Sequence, residues 1–107
     1  MTTQRYSAQI PAVTIGTSIA ASSVIDFSSS ETGRVHIPAG SSLTTLNWYA
    51  SLTGNGVYTQ VRDGSNADVT STVAAGYNYA FPAALIGASF LKIVGNAAGV
   101  AGITMKD

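Results

Sequence analysis

Apolar residues recur at every second position in short bursts along the whole chain, and turn-forming residues separate the bursts. The clearest pair of bursts runs from Leu46 to Arg62. Trp48, Ala50 and Leu52 alternate with Asn47, Tyr49 and Ser51, and beyond an Asn55-Gly56 turn Val57, Thr59 and Val61 alternate with Tyr58, Gln60 and Arg62. Side chains along a strand point to opposite faces with a period of two, so each half carries one apolar row. An even-length connection keeps both rows on one side. A two-residue Asn-Gly loop does this with Gly54 opposite Val57, and a four-residue loop does it with Leu52 opposite Val57. In either register the hairpin has an apolar face that a second layer must cover.

The same alternation predicts further short strands over residues 10–15, 24–27, 34–37, 68–74, 77–81, 89–94 and 100–105, beside the hairpin strands 43–52 and 57–62. Pro11 suits an edge, because proline has no N–H to give to a ladder. The last two strands are expected to close as a hairpin across Gly95–Gly99. Asp63-Gly-Ser-Asn66 reads as a turn with Gly64 taking the positive φ. The stretch from Pro82 to Ala88 is the single helical candidate, two turns at most, with proline at its first position. Eight to nine short strands about ten residues apart define an all-β chain: a two-sheet antiparallel β-sandwich, jelly-roll-like. Residues 1–9 are polar and read as a flexible N-terminal arm or an edge strand, and 10–107 as a single sandwich domain.

Composition narrows the partners. Only 9% of residues are charged, five basic and five acidic for a formal net charge of zero, against ~25% in average soluble domains. The surface must be dressed with Ser, Thr, Asn and Gly, and it has little electrostatic protection against self-association. No basic stripe is present to track phosphates, so a nucleic-acid partner is not expected. No apolar run approaches the ~20 residues that span a bilayer, which predicts no membrane partner. The chain has no cysteine, hence no disulfide and no thiolate metal site. Met1-Thr-Thr-Gln-Arg-Tyr6 lacks a signal-peptide pattern, and synthesis in the cytoplasm is expected.

Candidate chemistry is sparse. His36 is the single histidine, and the acids Asp26, Glu31, Asp63, Asp68 and Asp107 are scattered. General acid–base catalysis needs a positioned pair of titrating groups. His36 alternates away from Val35 and Ile37 and reads as a hydrogen-bonded or solvent-facing strand residue. Neither a nucleophile elbow nor a phosphate-cradling loop is present. Asp63–Asp68 loosely mimics a calcium loop but lacks the bidentate acid that completes one. No catalytic residue, metal or cofactor is therefore expected. Trp48 reads as a core anchor. Tyr49, Tyr58, Gln60 and Arg62 form the opposite, polar face of the hairpin, while Tyr77 and Tyr79 share a face with Phe81. These six polar and tyrosine positions are the candidate interface or ligand face, since tyrosine is enriched where proteins meet.

Several segments in their order carry a family resemblance. They are the Ile37-Pro-Ala-Gly40 turn and the Leu46–Val61 hairpin with its aromatic core residue and Ala50-Ser51. Tyr58-x-x-Val61-x-Asp63-x-x-Asn66 and Thr70-x-x-Val-Ala-Ala-Gly76-x-x-Tyr79 follow, and Phe90-Leu-Lys-Ile-Val94 and Val100-Ala-Gly-Ile-Thr-Met-Lys106 close the series. Over residues 34–107 this resembles the small β-sandwich structural proteins encoded among virion genes of tailed bacteriophages, of the capsid-decoration or head-associated type. The resemblance implies a non-enzymatic protein located on the virion. It implies a homo-oligomer, a trimer for instance, that contacts the major capsid protein or another virion protein during viral assembly. It carries over no catalytic residue. The alternative is a receptor- or carbohydrate-binding module of a phage tail or fibre, with Tyr49, Tyr58, Tyr77 or Tyr79 as a stacking platform. An enzyme ranks third.

Overall fold

Each stretch that alternates in sequence forms a strand in the computed structural model, which describes residues 7–106. The strands are β1 (Ser7–Ile15), β2 (Ile25–Asp26), β3 (Thr32–His36), β4 (Thr45–Ser51), β5 (Thr59–Gln60), β6 (Thr70–Thr72), β7 (Asn78–Ala80), β8 (Phe90–Gly95) and β9 (Gly99–Lys106). Sheet 1 has the order β1-β9-β3-β7, and sheet 2 the order β2-β8-β4-β5 with β6 also paired to β4. All of these pairings are antiparallel. Outside the run β4-β5-β6, every consecutive pair of strands lies in opposite sheets. That connection pattern makes the sandwich jelly-roll-like.

One consequence overturns the expected closing hairpin: β8 and β9 belong to different sheets. The Asn96 side chain ties the turn to the start of β4, its Oδ1 accepting the amides of Thr44 (2.9 Å) and Thr45 (3.1 Å). Gly95 is packed so tightly that a Cβ there would lie 2.5 Å from Leu43 Cδ2 and 2.9 Å from the Ala97 carbonyl. The chain thus steps across the layers at this point instead of folding back along one sheet.

The β4–β5 hairpin pairs Tyr49 with Gln60 and Ala50 with Thr59. That register, extended by two residues, places Leu52 opposite Val57 across the four-residue loop Thr53–Gly56. Backbone bonds from Val61 N to Trp48 O (2.9 Å), Trp48 N to Val69 O (3.4 Å) and Val69 N to Val61 O (2.9 Å) then hand β4 over from β5 to β6. Residues 62–68 protrude between them as a small turn. Its positive φ falls on Asn66 (62°), not on Gly64. The cause is Asp63, whose Oδ1 accepts the amides of Ser65 (2.8 Å) and Ala67 (3.1 Å) and so draws the chain around it.

Residues 7–9 follow the edge-strand alternative, not the arm. They pair with residues 104–106 of β9, and Ala8, opposite Met105, packs against the core. The rest of the expected arm, residues 1–6, lies outside the described residues. β1 is an edge strand of sheet 1, and its register slips by one residue between Ile10 and Val13, where Pro11 and Ala12 bulge out. The helical candidate is one 3-10 turn, Ala83–Leu85, which follows Pro82 and buries Leu85.

The core lies between the sheets. Leu46, Trp48, Leu91 and Ile93 of sheet 2 face Val35, Ala101, Ile103 and Met105 of sheet 1, all within 2% of complete burial. An aromatic trio spans the layers: the Phe81 ring, just beyond β7, lies 4.9 Å from Trp48 edge-on and 5.5 Å from Phe27. Each such side chain contributes roughly 1.5–3 kcal/mol on burial, before aromatic geometry adds to it.

Candidate functional site

On the outer face of sheet 2 the pairing sets Tyr49 of β4 between Gln60 of β5 and Lys92 of β8. Tyr58 lies beside this row but is only 8% exposed. Alternation alone would leave it in water. The 17–24 loop covers it, with Ile19 and Val24 lining the same hollow as Tyr58 and Lys92. Lys92 Nζ donates to the Ile19 carbonyl at 2.9 Å and sits 5.0 Å from the centre of the Tyr58 ring. The Tyr58 hydroxyl donates to the Gly54 carbonyl at 3.0 Å. Burial raises its pKa above the ordinary tyrosine value.

Gln60 and Arg62 of this face are also engaged within the chain. Gln60 Nε2 donates to the Trp48 carbonyl at 3.2 Å. Arg62 pairs with Asp68 (Nη2–Oδ1 3.2 Å) and donates to the Asn66 carbonyl at 2.9 Å. Donors committed in this way are not poised to grip a ligand; they hold the 62–68 turn and the covering loop on the sheet. The functional candidates Tyr49, Tyr58, Gln60 and Arg62 are thus brought together, and three of them act as stitching.

Tyr77 and Tyr79 belong to the other sheet. Tyr79 is paired with the inward-facing Val35 and packs against the core, while Tyr77 is 65% exposed. The four tyrosines therefore form no common platform. Trp48 is completely buried, its indole N–H donating to Ser71 Oγ at 2.9 Å. On the outer face of sheet 1, Arg34 Nε donates to Asn78 Oδ1 (2.7 Å) and His36 Nε2 lies 3.1 Å from Thr104 Oγ1. Arg34 and Lys106 rim a hollow of about 530 Å³ on this face. Among the described residues no three His, Cys, Asp or Glu side chains group to hold a metal ion. No described helix is long and apolar enough to cross a membrane.

The most exposed large apolar residues lie at one end of the sandwich. Leu52 is 89% and Val57 83% exposed, although both lie on the apolar side of the hairpin. Leu52 and Val57 border a hollow of about 390 Å³ whose floor is Ala50, Gly87, Ala88 and Ser89. The neighbouring Ile86 is 61% exposed. The loop between the two apolar residues is held in place. Gly56 N donates to the Thr53 carbonyl (3.1 Å), the Thr53 amide donates to Ser51 Oγ (3.3 Å), and Gly54 rests on the Phe90 ring. Gly56 is closely surrounded: a Cβ would lie 2.5 Å from Thr53 Oγ1 and 2.6 Å from Ser51 Oγ, and both hydroxyls would have to turn away.

Sequence reasoning missed Lys92 and the exposure of Leu52, Val57 and Ile86. The apolar Ile19 and Val24 in an otherwise polar loop were the available sign that the loop folds back over the sheet.

No family model, no curated protein and no solved structure matches the chain.

Proposed function

We propose that the protein is a non-enzymatic virion structural protein, a capsid decoration (cement) protein that binds the phage head surface and other copies of itself. The observation that carries this reading is the exposed apolar end bearing Leu52 and Val57 in a chain with only 9% charged residues. Exposed apolar patches of this kind belong to surfaces that meet other proteins. Two features support the reading further: the jelly-roll-like connection order, and the sequence likeness over residues 34–107 to phage virion sandwiches. Tyr58, Gln60 and Arg62 on the hairpin's outer face serve the fold itself, which suits a part that works by shape.

Its action is then thermodynamic. A protein that binds only the assembled shell stabilises that shell by mass action, in proportion to the logarithm of its free concentration over Kd. The carbohydrate-binding alternative draws no support from the tyrosines, which are divided between two sheets. The reading is tested by electron microscopy of particles assembled with and without the protein. Extra density on the head surface that appears with the protein is expected, and identical surfaces would refute it.

A further inference from the structure

We infer that the apolar end of the sandwich is a self-complementary contact through which two copies of this chain pair about a twofold axis. This rests on the reading above that copies associate, and it specifies the surface. The first observation is shape. Leu52 and Val57 project from a pinned loop directly beside the hollow floored by Ala50, Gly87, Ala88 and Ser89. A projection and a recess within one patch let each copy insert its projection into the other's recess, which is the geometry of an isologous interface. The floor consists of small side chains and of Gly87, where an added Cβ would meet nothing within 4 Å, which leaves the recess open to an incoming side chain.

The second observation is charge. A twofold contact brings one patch against its own copy, so a patch whose charges are all of one sign repels itself. Sheet 1's outer face carries Arg34 and Lys106 around its hollow, and a self-contact there would oppose cation to cation. The 62–68 turn carries Arg62, Asp63 and Asp68. The residues bordering the Leu52–Val57 recess carry no charge, so this end can meet its own copy without electrostatic penalty. The chain spends a tight glycine and three local hydrogen bonds on holding apolar side chains outward. A loop free to collapse would have buried them.

The test is the mass of the full chain in solution by size exclusion with light scattering, at micromolar concentration and above. The wild type is expected at two chain masses, Leu52→Arg at one, and Leu52→Met at two. Tyr77→Ser, exposed on the other sheet, is expected to stay at two. A cooperative thermal unfolding transition, followed through the single buried tryptophan, shows that each variant is folded; if Leu52→Arg does not fold, Val57→Ser is read in its place. Wild type at one or three chain masses, or the Arg variant still at two, overturns the contact. Co-sedimentation with phage particles separates this inference from the functional reading. A monomer that still binds particles removes the contact alone, whereas a dimer that binds none keeps the contact and removes the decoration role.

Discussion

Lys92 and Tyr58 form a stacked pair on the outer face of sheet 2, the ammonium 5.0 Å from the ring centre while it donates to the Ile19 carbonyl. The pair fastens the 17–24 loop over the sheet and turns an outward-facing tyrosine into a buried one. Lys92→Ala should lower stability by about 1–2 kcal/mol, through the lost cation–π contact and the lost hydrogen bond. Urea unfolding measures it, and limited proteolysis should locate the new cleavage in residues 17–24.

Tyr58 also sets an alkaline limit. Its folded-state pKa is raised above the ordinary 10.0 by burial. The folded chain therefore holds the proton more tightly than the unfolded one. The stability this gives is fully present below pH 10.0 and is lost as pH rises through the folded-state value. Tyr58→Phe should flatten that alkaline decline, at a cost of about 1 kcal/mol near neutrality for the lost bond to Gly54.

Asp26 sets a limit at acid pH. The Ser28 hydroxyl (2.6 Å) and then the Ser28 amide (3.0 Å) hold its carboxylate below the ordinary 3.8. The contribution is present above pH 3.8 and is lost as pH falls through the folded-state value. Asp26→Asn should remove that part of the acid dependence of the urea midpoint.

Trp48 ties the layers together through Phe81 and β4 to β6 through Ser71. Trp48→Ala should cost about 3–5 kcal/mol, a large share of the roughly 5–15 kcal/mol that holds a domain folded. Ser71→Ala leaves the indole N–H buried without a partner and should cost about 1–3 kcal/mol. Thermal melts of both variants check this.

Two glycines should respond in opposite directions to alanine. At Gly95 the new methyl meets Leu43, and small-to-large changes of this kind cost about 1–3 kcal/mol. At Gly64 the space is open and φ is not positive, so alanine should stabilise by about 0.4–1 kcal/mol through the unfolded chain.

The sandwich was legible because alternation is local: Val35, Trp48, Leu91, Ile93 and Ile103 each mark an inward position by the residues beside them. What alternation cannot convey is what lies across from a strand. Leu52 and Val57 have the parity of core residues and yet remain exposed, at the border of an open hollow. Tyr58 has the parity of a surface residue and is buried because a loop 40 residues earlier in the chain returns over it. The two apolar runs flanking Gly95–Gly99 look like a hairpin, yet Asn96 and Leu43 tie the turn to β4 from a distance in sequence. The polar start of β1 was likewise obscure, since its order comes from pairing with β9 at the far end of the chain.

The decoration role is tested most directly by DNA release from phage particles, assembled with and without the protein, as they are heated. The account predicts release at lower temperature from particles that lack it, restored when purified protein is added back. Coincident release curves with and without the protein would contradict it.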